Sequence, residues 1–203
     1  MQLTVQDAFA LAARHEAAGR ASDARAIYEQ ILASLPEHPG ALLRLAEMEL
    51  AAGRHAGALE RLGKALAAAR AQALPAQEIW LALAATHLAR GERAEADAAI
   101  GQLHVVAKRL KATGAVGAAH ELLERCVALA PDDPDLRLSL GAVCLDSNRP
   151  AEAKQQLERA AALGAQGGAI WDNLGLAHRS LGDDEQALLA FERAVAADPS
   201  LTP

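Results

Sequence analysis

The chain has 203 residues, a net charge of −6, 52% hydrophobic residues and only 2% aromatic ones. The mild acidity argues against nucleic-acid binding, which needs a concentrated Lys/Arg footprint, and no apolar run approaches the ~20 residues of a membrane span. Alanine and leucine supply most of the apolar content, and alanine is the best helix former, so we expect an all-α fold.

The N-terminal residues and the cysteines indicate the cellular compartment of the protein. The first twenty residues mix charges among apolar residues, unlike a secretory signal. Cys126 and Cys144 lie in different segments and form no CxxC motif. We expect both to be small core residues rather than a disulfide or metal site. Free thiols fit a reducing compartment, so a cytoplasmic location is predicted.

Pairs of short helices follow one another along the chain, and a glycine separates the helices of most pairs. Gly19 and Gly53 are 34 residues apart, as are Gly141 and Gly175. With the accompanying apolar positions, this spacing predicts six repeats, at about residues 5–38, 39–72, 77–99, 100–133, 134–167 and 168–201.

The middle of the chain departs from this period. The repeat that begins at Gln77 is truncated to 23 residues, too few for two helices and the turn that follows them. The stretch contains no proline, and Gly101 is its only internal weak point. We therefore predict one long helix from about Arg93 to Ala112, kinked or frayed near Gly101, which could divide the array into two parts.

The last repeat carries the pattern most fully, at Trp171, Leu174, Gly175, His178, Gly182, Ala187, Phe191, Ala194 and Pro199. Gly175 and Ala187 are small and let the two helices approach closely, and Pro199 ends the second helix. This pattern resembles the tetratricopeptide repeat. The resemblance implies a single α-solenoid over residues 1–203, a right-handed superhelix of antiparallel helix pairs with first helices on its concave side. Replacing Gly175 with leucine should overpack the pair and cost about 1–3 kcal/mol.

The resemblance also implies a groove that binds a partner. The places of the first helix that face the concave side in this family hold Phe9, Leu43, Arg44, Glu47, Leu81, Lys108, Lys111, Leu138, Asp172, Asn173 and Arg179. Phe9, Leu43, Leu81 and Leu138 form an apolar row that would accept an amphipathic helix or an extended peptide. Helical spacing equally allows the row to be core between repeats. If the row is exposed, Leu81→Glu should spare the fold and abolish partner binding.

Motifs for catalysis or metal binding are weak or absent. The sequence has no GxGxxG, GxSxG or HExxH motif. His15, His87 and His178 occupy the same place in different repeats, so they cannot converge on one ion. We expect them to pack between helices with the ring nitrogens satisfied locally, and we predict no enzyme activity, no cofactor and no metal.

The predicted function is a scaffold that binds a protein or peptide segment in the concave groove. The opening residues, LTVQDAFALAARHEAAGR onward, resemble the N-terminal repeat region of bacterial glycosyltransferases of the SPINDLY-like, O-GlcNAc-transferase-like type. That resemblance implies recognition of an acceptor protein such as flagellin for a transferase domain. The chain would then be a fragment of a larger transferase.

The alternative function is self-assembly. No polar capping helix follows the last repeat, although solenoids usually need one for solubility. The exposed terminal repeat would then stack on another copy and form a homo-oligomer.

Overall fold

The computed structural model describes residues 4–198. Within this range the chain forms eleven helices and no strand: α1 (Val5–Ala17), α2 (Ala21–Ser34), α3 (Pro39–Ala51), α4 (His55–Ala71), α5 (Gln77–Ala89), α6 (Arg93–Ala112), α7 (Val116–Leu129), α8 (Pro134–Asp146), α9 (Pro150–Ala162), α10 (Gly168–Ser180) and α11 (Asp184–Ala197). The all-α prediction is confirmed. The predicted stop at Pro199 lies outside the described residues.

Local sequence signals set several helix starts. Helices α3 and α8 begin at Pro39 and Pro134, where the missing N–H group costs nothing. The side chains of His38 and Asp133 accept hydrogen bonds from backbone N–H groups of the first turn. The placement of these two starts therefore follows from a proline and the residue before it.

One turn geometry recurs between paired helices. Its left-handed residues are Gly19, Gly53, Gly91, Gly114, Asn148 and Gly182, with φ between 56° and 81°. Glycine takes this conformation without steric cost, and asparagine tolerates it. The residue after each of them donates its N–H to a carbonyl five residues back, at 2.8–3.0 Å, on His15, Glu49, His87, Leu110, Cys144 and His178. This is the Schellman pattern, and we call these six acceptors the turn-anchor residues.

Helix α6 confirms the long helix predicted in the middle of the chain. It spans 20 residues from Arg93 to Ala112. The helix continues without a break through Gly101, which is exposed and has no neighbour where a Cβ would lie. Of the two irregularities expected there, a kink or fraying, the fraying does not occur.

The chain divides into two compact units, Met1–Ile100 and Gly101–Pro203, with the boundary inside α6. We call them the N-terminal and C-terminal units. In the N-terminal unit α1 packs on α2 and α3 on α4, and the core includes the fully buried Tyr28 and Leu45. In the C-terminal unit α8 packs on α9 and α10 on α11, around Leu136, Leu157 and Ile170.

Two of these pairs approach closely through a glycine. A Cβ built on Gly141 would lie 2.6 Å from Cγ of Leu157, and one on Gly175 would lie 2.4 Å from Cε1 of Phe191. Both distances are too short for any side chain, so glycine is what allows these contacts. Across residues 4–198, none of the helices combines the length and the apolarity that a membrane crossing requires.

Candidate functional site

An open apolar cavity lies in the C-terminal unit where α6, α7 and α8 meet. Its volume is about 170 Å³, and it is lined by Ala107, Lys108, Lys111, Leu123, Leu138, Ser139, Ala142 and Val143. We call this surface the α6–α8 groove. Three of the predicted groove residues, Lys108, Lys111 and Leu138, meet here.

The charge on the rim of this groove is positive. Lys108 is exposed and has no salt-bridge partner among the described residues, whereas Lys111 lies 3.2 Å from Asp146. A ring nitrogen of His104 lies 2.7 Å from Ser139 Oγ. Burial, followed by the charge of Lys108, lowers the pKa of His104, so that ring is neutral at pH 7. The positive charge beside the cavity therefore comes from the two lysines.

The predicted groove residues of α1 and α3 are engaged with their own unit. The ring of Phe9 packs against Tyr28 at 5.3 Å between ring centroids and belongs to the edge of the core. Arg44 pairs with Glu16 at 3.1 Å and with Glu47 at 2.8 Å. These contacts leave the guanidinium partly neutralised, which makes it a weaker anchor for a partner than an unpaired lysine.

Leu43 and Leu81 differ in exposure. Leu43 is half-buried on α3, but Leu81 on α5 is only 6% exposed. The prediction that Leu81 faces a partner is therefore wrong, and the core interpretation holds for this residue. Helix α5 buries nearly all of its middle residues, so it has no polar face that would distinguish a groove side from a core side.

The predicted groove residues of α10 form a separate group. Asp172 and Asn173 are half-buried, and Arg179 is exposed with its guanidinium carbon 5.7 Å from the centre of the Phe191 ring. None of these three lines the α6–α8 groove. Their part in partner binding stays a prediction.

Two of the three turn-anchor histidines, His87 and His178, bond locally, as the sequence predicts, and His15 is the exception. His87 Nδ1 lies 2.8 Å from Glu92, and His178 Nδ1 lies 3.1 Å from Asp183. His15 Nδ1 is 3.3 Å from the Asp23 carboxylate but lacks hydrogen-bond geometry. Each ring thus faces a carboxylate of the following turn or helix.

Sequence reasoning missed part of the lining of the α6–α8 groove. Ser139 and Ala142 hold the sixth and ninth places of their repeat, which face the concave side in the family, but both are small and carry no charge. The side chains of Ala107, Leu123 and Val143 complete the wall. Leu123 comes from the second helix of its repeat, so no rule about first helices could have found it.

Paired helices with one recurrent turn define an α-helical repeat protein. A tetratricopeptide repeat family model matches residues 16–77 and 110–174, and a second tetratricopeptide repeat model matches residues 168–201. The chain belongs to the tetratricopeptide repeat family. The matches leave residues 78–109 uncovered, the stretch that holds nearly all of α5 and most of α6.

Solved structures resemble the chain over nearly its whole length. TTC0263, a tetratricopeptide repeat protein of Thermus thermophilus, is 22% identical, with 98% of this chain and 93% of that one covered and a TM-score of 0.40. YrrB, described as a tetratricopeptide repeat protein with an unusual peptide-binding site, is 16% identical over 98% and 88%, with a TM-score of 0.43. A MamA structure labelled AMB-1 is 20% identical over 98% and 93%, with a TM-score of 0.45.

At these identities the likeness concerns the fold alone. No curated protein matches the chain. Nothing in the comparisons supports the resemblance to glycosyltransferases, which stays a prediction.

Proposed function

We propose that the chain is a protein-binding scaffold whose α6–α8 groove takes a partner segment that carries an apolar side chain next to acidic ones. The observation that carries this proposal is the apolar cavity flanked by Lys108 and Lys111. A cavity of about 150 Å³ is large enough to hold benzene, so one of about 170 Å³ suits a single leucine- or phenylalanine-sized side chain.

The two lysines supply the preference for acidic residues. Lys108 has no ion-pair partner within residues 4–198, and the Lys111–Asp146 pair is half-exposed on both sides. Exposed pairs contribute ~0–1 kcal/mol, so a partner carboxylate could take the place of Asp146 at small cost. An acidic segment would therefore associate faster and more selectively than a neutral one, and the effect would weaken as salt rises.

The charge on Lys108 is the first thing to test. Peptides selected from a random display library against the wild-type chain should be enriched in Asp or Glu next to a large apolar residue. Lys108→Glu should weaken the binding of such a peptide at least about tenfold, which corresponds to 1.4 kcal/mol. The measurement is fluorescence anisotropy with a labelled selected peptide, at low and at high salt.

Arg109→Glu is the matched control. Arg109 is the next residue of the same helix, is exposed, and does not line the groove. Both variants change the net charge equally, so the global electrostatic effect is the same. Equal loss of affinity in the two variants, or selected peptides without acidic residues, would rule out the α6–α8 groove as the binding site.

The finer prediction is that these repeats select an acceptor protein for a glycosyltransferase domain. It rests on the resemblance of the opening residues, and the cavity with its two lysines is compatible with an acidic acceptor segment. If this form of the proposal is correct, acceptor peptides with the acidic and apolar pattern will bind in the fluorescence anisotropy assay. Acceptor peptides that do not bind would contradict it.

Self-association is a second candidate function, supported by apolar side chains on α11. Leu188 is 61% exposed and Leu189 is 45% exposed, and adjacent leucines at this level of exposure suit a contact with another copy. Sedimentation velocity should then show a concentration-dependent oligomer that Leu188→Glu abolishes. A monomer at every concentration tested would exclude this function for the chain.

A further inference from the structure

Three potential metal ligands from three consecutive helices converge in the C-terminal unit. His120 lies on α7, Cys144 on α8 and Glu152 on α9, and their ligand atoms all lie within 4.8 Å of one another. Cys144 is fully buried and His120 nearly so, while Glu152 is half-buried. The prediction of no metal site did not consider these three residues together; they are 24 and 8 positions apart in the sequence.

Carboxylates lie near both ring nitrogens of His120, an arrangement that resembles a metal site. His120 Nε2 faces Glu152 at 3.1 Å, while Nδ1 lies 3.3 Å from the Glu124 carboxylate. A metal-bound histidine almost always donates its second ring N–H to a carboxylate or carbonyl, and the Glu124 carboxylate is close enough to Nδ1 to accept it after a small side-chain adjustment. Nε2 is then the ring atom on the side of the cluster, where it now faces Glu152 and Arg149.

A guanidinium already lies beside these groups. Arg149 Nη1 is 3.2 Å from His120 Nε2 and 3.5 Å from Glu152. Its guanidinium occupies the space next to the ring nitrogen and the carboxylate, the two groups that would otherwise face a cation. The Arg149 side chain is 54% exposed, so it can swing into solvent and open a path to Cys144.

We propose that His120, Cys144 and Glu152 form a binding site for a divalent transition-metal ion of the zinc type, with Arg149 as the group that the ion displaces. Zinc takes nitrogen, sulfur and carboxylate ligands in a tetrahedron, at about 2.0–2.3 Å. Its ligand atoms are therefore about 3.3–3.7 Å apart. The His120–Glu152 distance of 3.1 Å is just below this range, and the set closes with side-chain shifts of about 1 Å.

A catalytic Cys–His pair is the competing interpretation of the cluster. Such a pair needs a thiol whose pKa is lowered. Burial, together with the Glu152 carboxylate, instead raises the pKa of Cys144 to about 12. The cluster therefore does not fit a nucleophilic cysteine, and the metal site rests on the convergence of the three ligand atoms.

The repeat positions of His120, Cys144 and Glu152 have equivalents in the N-terminal unit, but the residues there are not a set of metal ligands. The equivalent positions hold Arg25, Glu49 and Gly57, at the same spacings of 24 and 8 residues. Arg25 reaches Glu49 at 3.7 Å, and a Cβ on Gly57 would lie 2.8 Å from the Glu49 carboxylate. The repeat architecture thus brings these positions together whatever residues occupy them.

One repeat further along the C-terminal unit, the positions hold Lys154, His178 and Gln186. A lysine and an amide are poor ligands for such an ion, and His178 is engaged with Asp183. Of these three equivalent sets of positions, the one on α7, α8 and α9 is the only one whose three side chains are all metal ligands.

Cobalt(II) added to the full reduced chain is the probe. We expect one tightly bound ion per chain, with the near-ultraviolet absorption of a thiolate–cobalt bond and the visible spectrum of tetrahedral cobalt, both lost when zinc is added in competition. Cys144→Ser and His120→Ala should each weaken binding at least about 100-fold, and Glu124→Gln about tenfold.

Cys126→Ser is the matched control, because Cys126 is equally buried but lies outside the cluster. It should keep the thiolate band and the affinity. Arg149→Gln, an exposed change that leaves the core intact, should raise the affinity for cobalt because it removes the competing cation. Lack of a one-to-one complex in both the wild type and Arg149→Gln would overturn the proposal, as would a thiolate band that depends on Cys126.

Discussion

Replacing Gly141 with alanine is expected to lower the free energy of unfolding by about 1–3 kcal/mol, the usual cost of overpacking. The new methyl group would lie 2.6 Å from Cγ of Leu157 and 3.3 Å from the backbone oxygen of Ala153. Leu157 is fully buried, and Cγ is its branch point, so the side chain cannot move aside without shifting α9. Urea unfolding followed by far-ultraviolet circular dichroism measures the effect.

Gly101→Ala is the control for the helix propensity of alanine. Gly101 lies within α6, is exposed and has no neighbour within 4 Å of a built Cβ. This change should stabilise the chain by about 0.5–1 kcal/mol. A midpoint for Gly141→Ala at or above the wild-type value would show that α8 and α9 are not packed through this glycine.

Gly175 tests the same contact one repeat later. Its Cβ would meet the ring of Phe191, which is half-buried and can rotate toward solvent. Gly175→Ala should therefore cost less than Gly141→Ala. Gly175→Leu, whose side chain is too large for that escape, should cost the roughly 1–3 kcal/mol expected from the sequence.

Leu81→Glu is expected to lower the free energy of unfolding by about 3 kcal/mol or more. The change removes a buried leucine, which alone costs about 2–5 kcal/mol on truncation, and places a carboxylate where solvent does not reach. The sequence-based expectation that this variant keeps its fold is reversed by the burial of Leu81. Helix content and the unfolding midpoint of the purified variant show whether the fold is retained or destabilised.

Leu188→Glu is the matched substitution at an exposed site. Leu188 is 61% exposed on α11, so the change should alter stability by less than about 0.5 kcal/mol. If Leu81→Glu changed the free energy of unfolding as little as Leu188→Glu, Leu81 would have to be accessible in solution. The apolar row would then again be a candidate partner-binding surface.

Much of the fold could be predicted from the sequence because it depends on local rules. Glycine and asparagine are the residues that take a positive φ at least cost, and a 34-residue spacing of such residues predicts paired helices of fixed length. The truncated repeat leaves too few residues for a turn between Arg93 and Ala112, so the chain continues as one helix. The shared place of His87 and His178 likewise predicted their local bonding, whereas Nδ1 of His15 has no hydrogen-bond partner among the described residues.

The candidate sites depended on the tertiary structure. Leu43 and Leu81 hold equivalent places in their repeats, yet one is half-buried and the other buried, because exposure depends on the side chains that pack over a position. Lys108, Lys111 and Leu138 could be assigned to a concave face, but Leu123 from α7, which lines the same cavity, could not.

The sequence by itself determined an all-α tetratricopeptide repeat chain, its turns and its irregular middle helix, since each follows from backbone conformation and helical period. The tertiary structure decided which of the predicted groove residues line a cavity and that His120, Cys144 and Glu152 meet. The residues that form each of these two sites lie on three different helices. Their distances depend on how the helices pack, which no spacing within one helix specifies.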